Sequence, residues 1–160
     1  MLTKGKGPFD PTKIFQVGIV VKSVDETVKF YQEVFGCVPV PPERALSGAQ
    51  LEAGTGLPGA RIAGVHLRLP GCGESGPTLE IFEYGDAGTD SPRAVNRPGY
   101  AHLAFAVDSV PEARAQVLTG GGSAVGDVVT VTIPSAGRVT WCYVRDPEGN
   151  VVELQSWNEG

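Results

Sequence analysis

Two histidines, one methionine, three cysteines and no surplus of positive charge leave this chain with few of the usual starting points for a function. Lys and Arg number 13 against 18 Asp and Glu, a net charge of −5, so no basic footprint exists for nucleic acid or anionic lipid. No apolar stretch approaches the roughly 18 residues a membrane-spanning helix needs. The opening MLTKGKGPFDPTK lacks the apolar core of a secretory signal, and the cytoplasm is the expected compartment. Cys37, Cys72 and Cys142 are odd in number, far apart and outside any CxxC pair, which argues against a disulfide framework. They read as packing or loop residues. What remains is globular: 41% hydrophobic residues and 19% charged ones are too apolar for a disordered chain. Its 160 residues suffice for one domain, or for two small modules sharing a core.

The informative feature is an internal repeat. QVGIVVKSVDETVKFYQEVFG from Gln16 aligns without gaps on HLAFAVDSVPEARAQVLTGGG from His102, pairing Val21 with Val107, Ser23 with Ser109, Val24 with Val110 and Glu26 with Glu112. Each copy reads as a β-branched, apolar strand followed by a helix. Ser23 and Ser109 each precede a Glu by three residues, the capping-box spacing. Val24, Val28 and Tyr31 then share a helix face, and Gly36 ends the helix. Thr78–Tyr84 matches Val151–Trp157 with Glu80 and Glu153 in register. Two matches in the same order imply two copies of strand, helix and three strands. The expected modules are residues 12–86 and 99–158, joined by a linker at 87–98 inside the turn-rich stretch GDAGTDSPRAVNRPG. Arg44 to Ala60, with its glycines and weak pattern, reads as a long loop and a candidate lid.

Strand alternation sorts the polar residues. Phe15, Val17, Ile19 and Val21 share a bulky face suited to a helix, whereas Gln16 and Gly18 lie opposite. Leu103, Phe105 and Val107 likewise oppose His102, Ala104 and Ala106. Glu80 and Glu153 sit inside apolar strands, where an uncompensated carboxylate is strongly disfavoured. One ligand from each first strand and one from each last strand gives a set of amide, carboxylate, imidazole and carboxylate. Gln16, Glu80, His102 and Glu153 are therefore the candidate ligands of one divalent ion. Two carboxylates match its charge, and the donors suit Zn, Ni, Co, Mn or Fe(II). In the third strand, His66 and Arg68 alternate with Val65, Leu67 and Leu69 and are candidates for substrate contact, Arg68 with an anionic group. His66 is not needed as a ligand, because the repeat already fills the set. Trp141 and Tyr143, with Trp157, are candidate walls of an apolar pocket.

At these residues the chain resembles the vicinal oxygen chelate superfamily of glyoxalase I, methylmalonyl-CoA epimerase, ring-cleaving dioxygenases and antibiotic-resistance proteins. FQVGIVVKSVDETVKFYQEVFG is similar to the family's opening strand and helix, PTLEIFEY to its fourth strand, GYAHLAFAVDSV to its fifth and VRDPEGNVVELQSW to its closing hairpin. The resemblance implies an α+β fold in which two βαβββ modules form a cupped, partly open β-barrel around the metal. Gln first with Glu second and fourth is the glyoxalase I-like choice, whereas ring-cleaving dioxygenases use two His and one Glu. The implied activity is metal-dependent proton transfer next to a carbonyl, as in a lyase or isomerase of the lactoylglutathione lyase or acyl-CoA epimerase kind. By similarity to glyoxalase I, Glu153 is the base and Glu80 mainly a ligand. LEIFEYG is closer to the epimerase branch and DPEGNVVELQ to glyoxalase I. The alternatives are an Fe(II)-dependent ring-cleaving dioxygenase and a non-catalytic, resistance-type binding protein. The expected partners are a small molecule (a 2-oxoaldehyde thiol adduct or an acyl-CoA) and a second copy of the chain, with neither nucleic acid nor membrane.

Overall fold

The computed structural model describes residues 14–86, 88, 94–96 and 98–158. Of the expected linker 87–98, residues 87, 89–93 and 97 lie outside this set. In chain order the elements are β1 (Gln16–Val20), α1 (Val24–Phe35), β2 (Val38–Ser47), α2 (Ala49–Thr55), β3 (Arg61–Arg68), β4 (Thr78–Tyr84), β5 (Leu103–Ala106), α3 (Val110–Thr119), β6 (Ser123–Ala124), β7 (Val129–Ile133), β8 (Gly137–Arg145) and β9 (Val151–Asn158). The fold is α+β with two open sheets and, among the described residues, no closed barrel. None of its helices is long and apolar enough to cross a membrane. Two compact units result. Among the described residues, one holds those up to Val24 with Gly36–Asp86, and the other holds Asp25–Phe35 with those after Asp86. Helix α1 thus belongs with the second half of the chain.

The first unit is a four-stranded sheet of order β1-β4-β3-β2, in which the first and last strands run parallel and the remaining pairs are antiparallel. Val65, Leu67, Leu69, Leu79 and Ile81 occupy alternate positions on one face and are buried. Val17, Ile19 and Val21 share that face, yet only Val21 is buried; Val17 is 38% exposed and Phe15 71%. The apolar face of β1 is therefore covered at one end only. Segment 44–60 is not a loop. Arg44 to Ser47 continue β2 against β3, after a register shift between Val40 and Arg44, and α2 follows directly. Its glycines punctuate these elements rather than dissolve them: Gly48 and Gly56 bracket α2 with φ of 100° and 70°.

The second unit has order β5-β9-β8-β6, with β7 also paired to β8. Here the strand after the helix is split, so four strands follow α3 instead of three. The shift at 41–43 in β2 and the break at 125–128 fall at the same stage of the two copies. Ser109 caps α3, its hydroxyl accepting the Glu112 N–H at 3.4 Å, with Pro111 in the first turn. At the start of α1 the Val24 N–H donates to the Glu83 carboxylate of β4, at 3.2 Å. Thr27, Phe30 and Tyr31 form the buried stripe of α1, while Val28 is only half-buried. Phe35 closes the packing by stacking on Phe105, centroids 4.2 Å apart. Cys37 and Cys142 are buried free thiols and Cys72 is an exposed one; burial pushes the Cys37 thiol up to about 11.

Asp146 fastens α1 to the β8–β9 turn. Its carboxylate accepts hydrogen bonds from Tyr31 Oη (3.0 Å), Asn150 Nδ2 (2.7 Å) and the backbone N–H groups of Glu148 (2.9 Å) and Asn150 (2.8 Å). Burial nevertheless raises its pKa above the ordinary 3.8, the hydrogen bonds opposing the shift. A carboxyl with a raised native pKa contributes most to stability below its unfolded value, and that contribution is lost as pH rises through the native value. Urea titrations of wild type and Asp146→Asn should therefore show a stability difference, wild type minus variant, that declines with rising pH across this window. A difference that grows with pH would contradict the assignment. Asp146→Ala, which strands the donors, should cost about 3 kcal/mol at pH 7.

Candidate metal centre

The parallel pairing of first and last strands decides what faces each buried glutamate. In β1–β4, Gly18 stands beside Glu80, with Gln16 two residues earlier on the same face. In β5–β9, Ala104 stands beside Glu153, with His102 two residues earlier. The small residue leaves each carboxylate uncovered, and the donor reaches it from one step along the strand. In the first unit Gln16 Nε2 donates a short hydrogen bond to Glu80 Oε2. In the second, His102 Nε2 lies 2.8 Å from Glu153 Oε2. The four residues expected from the repeat are thus brought together as two pairs, one in each unit.

The chain has only two histidines, and each sits on one of these carboxylates. His66 Nε2 is 3.2 Å from Glu80 Oε1, and its Nδ1 is 3.1 Å from Thr78 Oγ1. Alternation alone put His66 on the right face. Its attachment to Glu80 needed the β3–β4 register, which pairs His66 with Glu80 and Arg68 with Thr78, and sequence reasoning missed it. Arg68 is half-buried on the same face, and its Nε is buried without a partner among the described residues. In the second unit Tyr143 takes the register position opposite Glu153 that His66 takes opposite Glu80. Its ring lies 5.0 Å from that of His102 and 5.2 Å from that of Trp141, forming an aromatic row. Burial, and secondarily the Glu153 charge, raise the Tyr143 pKa. Trp157 is 49% exposed and donates to Gln155, so it walls nothing enclosed.

The donor chemistry suits a divalent ion. Glu80 is 9% exposed, and the ion-pair partners of Glu80 and Glu153 are histidines rather than Lys or Arg. In each unit a carboxylate whose ion-pair partner is a histidine, with no fixed positive charge, suits a cation as a further partner. Among the described residues no three His, Cys, Asp or Glu side chains gather at one point. Each unit supplies one carboxylate with one histidine, joined in the first by the Gln16 amide. A separate open cavity of about 310 Å³ is lined by Ala45, Ser47, Arg61, Ala63 and Glu83 among others. By strand alternation Glu83 faces away from Glu80, and its carboxylate is engaged with the Val24 N–H. That cavity is no part of the centre.

The sequence profile of the Glyoxalase/Bleomycin resistance protein/Dioxygenase superfamily matches residues 13–154. The chain belongs to this superfamily. No curated protein sequence matches it. Among solved structures it is similar to a glyoxalase family protein from Bacillus cereus (21% identity, 98% of this chain and 100% of that one, TM-score 0.79). A glyoxylase/bleomycin resistance protein/dioxygenase domain from Frankia sp. EAN1pec is also similar (20%, 93% and 100%, TM-score 0.62). So is the fosfomycin resistance protein of Listeria monocytogenes, solved with Mn(II) and sulfate (16%, 94% and 95%, TM-score 0.51). At these identities the likeness establishes the fold.

Packing beside the centre depends on Gly64. A Cβ there would overlap the Phe82 ring and come within 2.9 Å of the Ile81 carbonyl oxygen. Phe82 in turn meets His66 edge-on, centroids 6.5 Å apart. Gly64→Ala should lower stability by about 1–3 kcal/mol. Combining it with Phe82→Ala should cost less than the sum of the two single changes, because the ring that clashes is gone. Strict additivity in urea unfolding would show that Phe82 is not what Gly64 accommodates.

Proposed function

We propose that the protein is a metal-dependent lyase or isomerase of the glyoxalase type, with Gln16, Glu80, His102 and Glu153 as the ligands of one divalent ion. The observation that carries this reading is the repeated pairing: each unit sets an oxygen or nitrogen donor against a strand-borne glutamate at equivalent register. When bound, the ion supplies positive charge that makes a C–H beside a substrate carbonyl more acidic. Proton movement falls to the chain. Glu80 has both oxygens engaged, by Gln16 and His66, which suits a fixed ligand. Among the described residues Glu153 has His102 as its polar partner, so its carboxylate is freer to take a proton from one carbon and return it to the neighbouring atom. Tyr143 and Trp141 flank that carboxylate and would exclude water from the reacting face.

Arg68, with an unpartnered buried Nε on the same face as Glu80, suits a substrate bearing an anionic group, as a thiol adduct of a 2-oxoaldehyde or an acyl-CoA does. A homodimer in the cytoplasm remains the expected setting. Two experiments test the reading. Purified wild type should take up a stoichiometric divalent ion and catalyse solvent deuterium incorporation into a 2-oxoaldehyde thiol adduct or an acyl-CoA. Glu153→Gln should abolish that exchange while metal is retained. Protein that neither binds nor is stabilised by Ni(II), Zn(II) or Mn(II) would favour the binding-protein alternative, and oxygen uptake would favour the dioxygenase. Arg68→Gln should raise KM with a smaller effect on kcat, by about tenfold for one lost charge-assisted contact; an unchanged KM would remove Arg68 from the substrate site.

A further inference from the structure

We infer that His66 is a positioning residue for the metal centre: a Thr78–His66–Glu80 chain holds Oε1 of the Glu80 carboxylate and so keeps Oε2 turned toward Gln16, the other proposed ligand of the first unit. This inference rests on the proposed metal reading and adds to it a residue outside the ligand set. The geometry divides the carboxylate in two. Oε1 faces His66 Nε2 at 3.2 Å, whereas Oε2 faces the Gln16 side chain. Oε2 also looks toward Gly18, where a Cβ would stand 3.7 Å away and no side chain intervenes. The oxygen away from His66 is thus the one beside the other proposed ligand of the first unit.

The hydrogen positions follow from donor chemistry. An ionised carboxylate only accepts, so the hydrogen between Nε2 and Oε1 belongs to His66. In the neutral ring Nδ1 is then an acceptor, and the Thr78 hydroxyl donates to it at 3.1 Å. Both contacts are satisfied without placing a second positive charge beside the ion. The register keeps the chain short: His66 is the cross-strand partner of Glu80, and Thr78 precedes Glu80 by two residues on the same face. The register seats His66 beside Oε1, the oxygen of Glu80 that does not face Gln16. Outer partners of this kind typically change metal affinity by about 10–100-fold when removed.

The test compares apo wild type with His66→Leu, His66→Gln and Thr78→Val, titrating Mn(II) and following free ion by electron paramagnetic resonance. His66→Leu should weaken Mn(II) binding by about 10–100-fold. His66→Gln, which restores an N–H toward Oε1, should recover most of that loss. Thr78→Val, nearly isosteric, should give a smaller weakening in the same direction and serves if His66→Leu does not fold. Thermal unfolding in chelator should be alike for wild type and the folded variants, which separates positioning from general stabilisation. Electron spin echo modulation of bound Mn(II) should show one coordinated imidazole in both wild type and His66→Leu. Unchanged Mn(II) affinity in a folded His66→Leu protein overturns the inference while leaving the metal reading intact. Two coordinated imidazoles in wild type, falling to one in His66→Leu, overturn it by making His66 a ligand. Wild type that takes up no divalent ion ends both.

Discussion

A carboxylate set in the middle of an apolar strand is the constraint from which the rest of this structure can be derived. Glu80 lies between Leu79 and Ile81, both fully buried, and Glu153 between the equally buried Val152 and Leu154. Neither can turn to the packed face, since strand alternation fixes its direction. Each must meet its partners on the open face, where parallel pairing with the first strand of its own unit determines what stands beside it. A glycine and an alanine stand there. Larger residues would have covered the carboxylates; these leave room for donors arriving from Gln16 and His102. The apolar residues on either side supply the packing energy, and the glutamate between them supplies the charge that the open face must accommodate.

The repeat makes the two halves equivalent in register but not in chemistry. Opposite Glu80 stands His66, and opposite Glu153 stands Tyr143. The first strand offers an amide in one half and an imidazole in the other. Consequently the first unit surrounds its carboxylate with hydrogen-bond partners, whereas the second surrounds it with aromatic faces and a single histidine. The second unit is also the better braced. It holds both longer helices, α1 and α3, and the Asp146 network ties α1 to the turn from which β9 departs toward Glu153.

Much of this was legible in the sequence, and the reason is periodicity. The two-residue alternation fixed the faces of Gln16, Glu80, His66 and Arg68, and the recurrence of strand, helix and strands gave the order of elements in each copy, apart from the split strand after α3. Local signals served where the partner was local: Ser109 caps α3 through the Glu112 N–H, and Gly36 ends α1 at a φ of 67°. They were silent where the partner was distant. The start of α1 is met by Glu83, remote in sequence, and the allegiance of α1 to the second unit has no counterpart in its own residues. Segment 44–60 misled because Gly48 and Gly56 flank a short helix, where they resemble a loop although β3 supplies strand partners from Arg44 to Ser47. The His66–Glu80 contact was hidden for a related reason. Alternation gives a face, but only register gives a neighbour.

The asymmetry of the two halves bears directly on how labour is divided in the proposed reaction. A proton carrier must move between substrate and its resting position, so few hydrogen bonds can hold it. A ligand that maintains the charge and shape of the site must stay in place, which calls for partners on both oxygens. Glu80 meets the second requirement through Gln16 and the His66–Thr78 pair. Glu153 meets the first: among the described residues its polar partner is His102, itself a proposed ligand, and its cross-strand neighbour is Tyr143. The proposal of Glu153 as base thus rests on the partners of each carboxylate among the described residues, an argument separate from family resemblance. It also explains why two glutamates in matching strands would not be interchangeable. Moving His66 chemistry to position 143 would anchor Glu153 as Glu80 is anchored, and a site with two fixed carboxylates would retain its ion while losing the group that shuttles the proton.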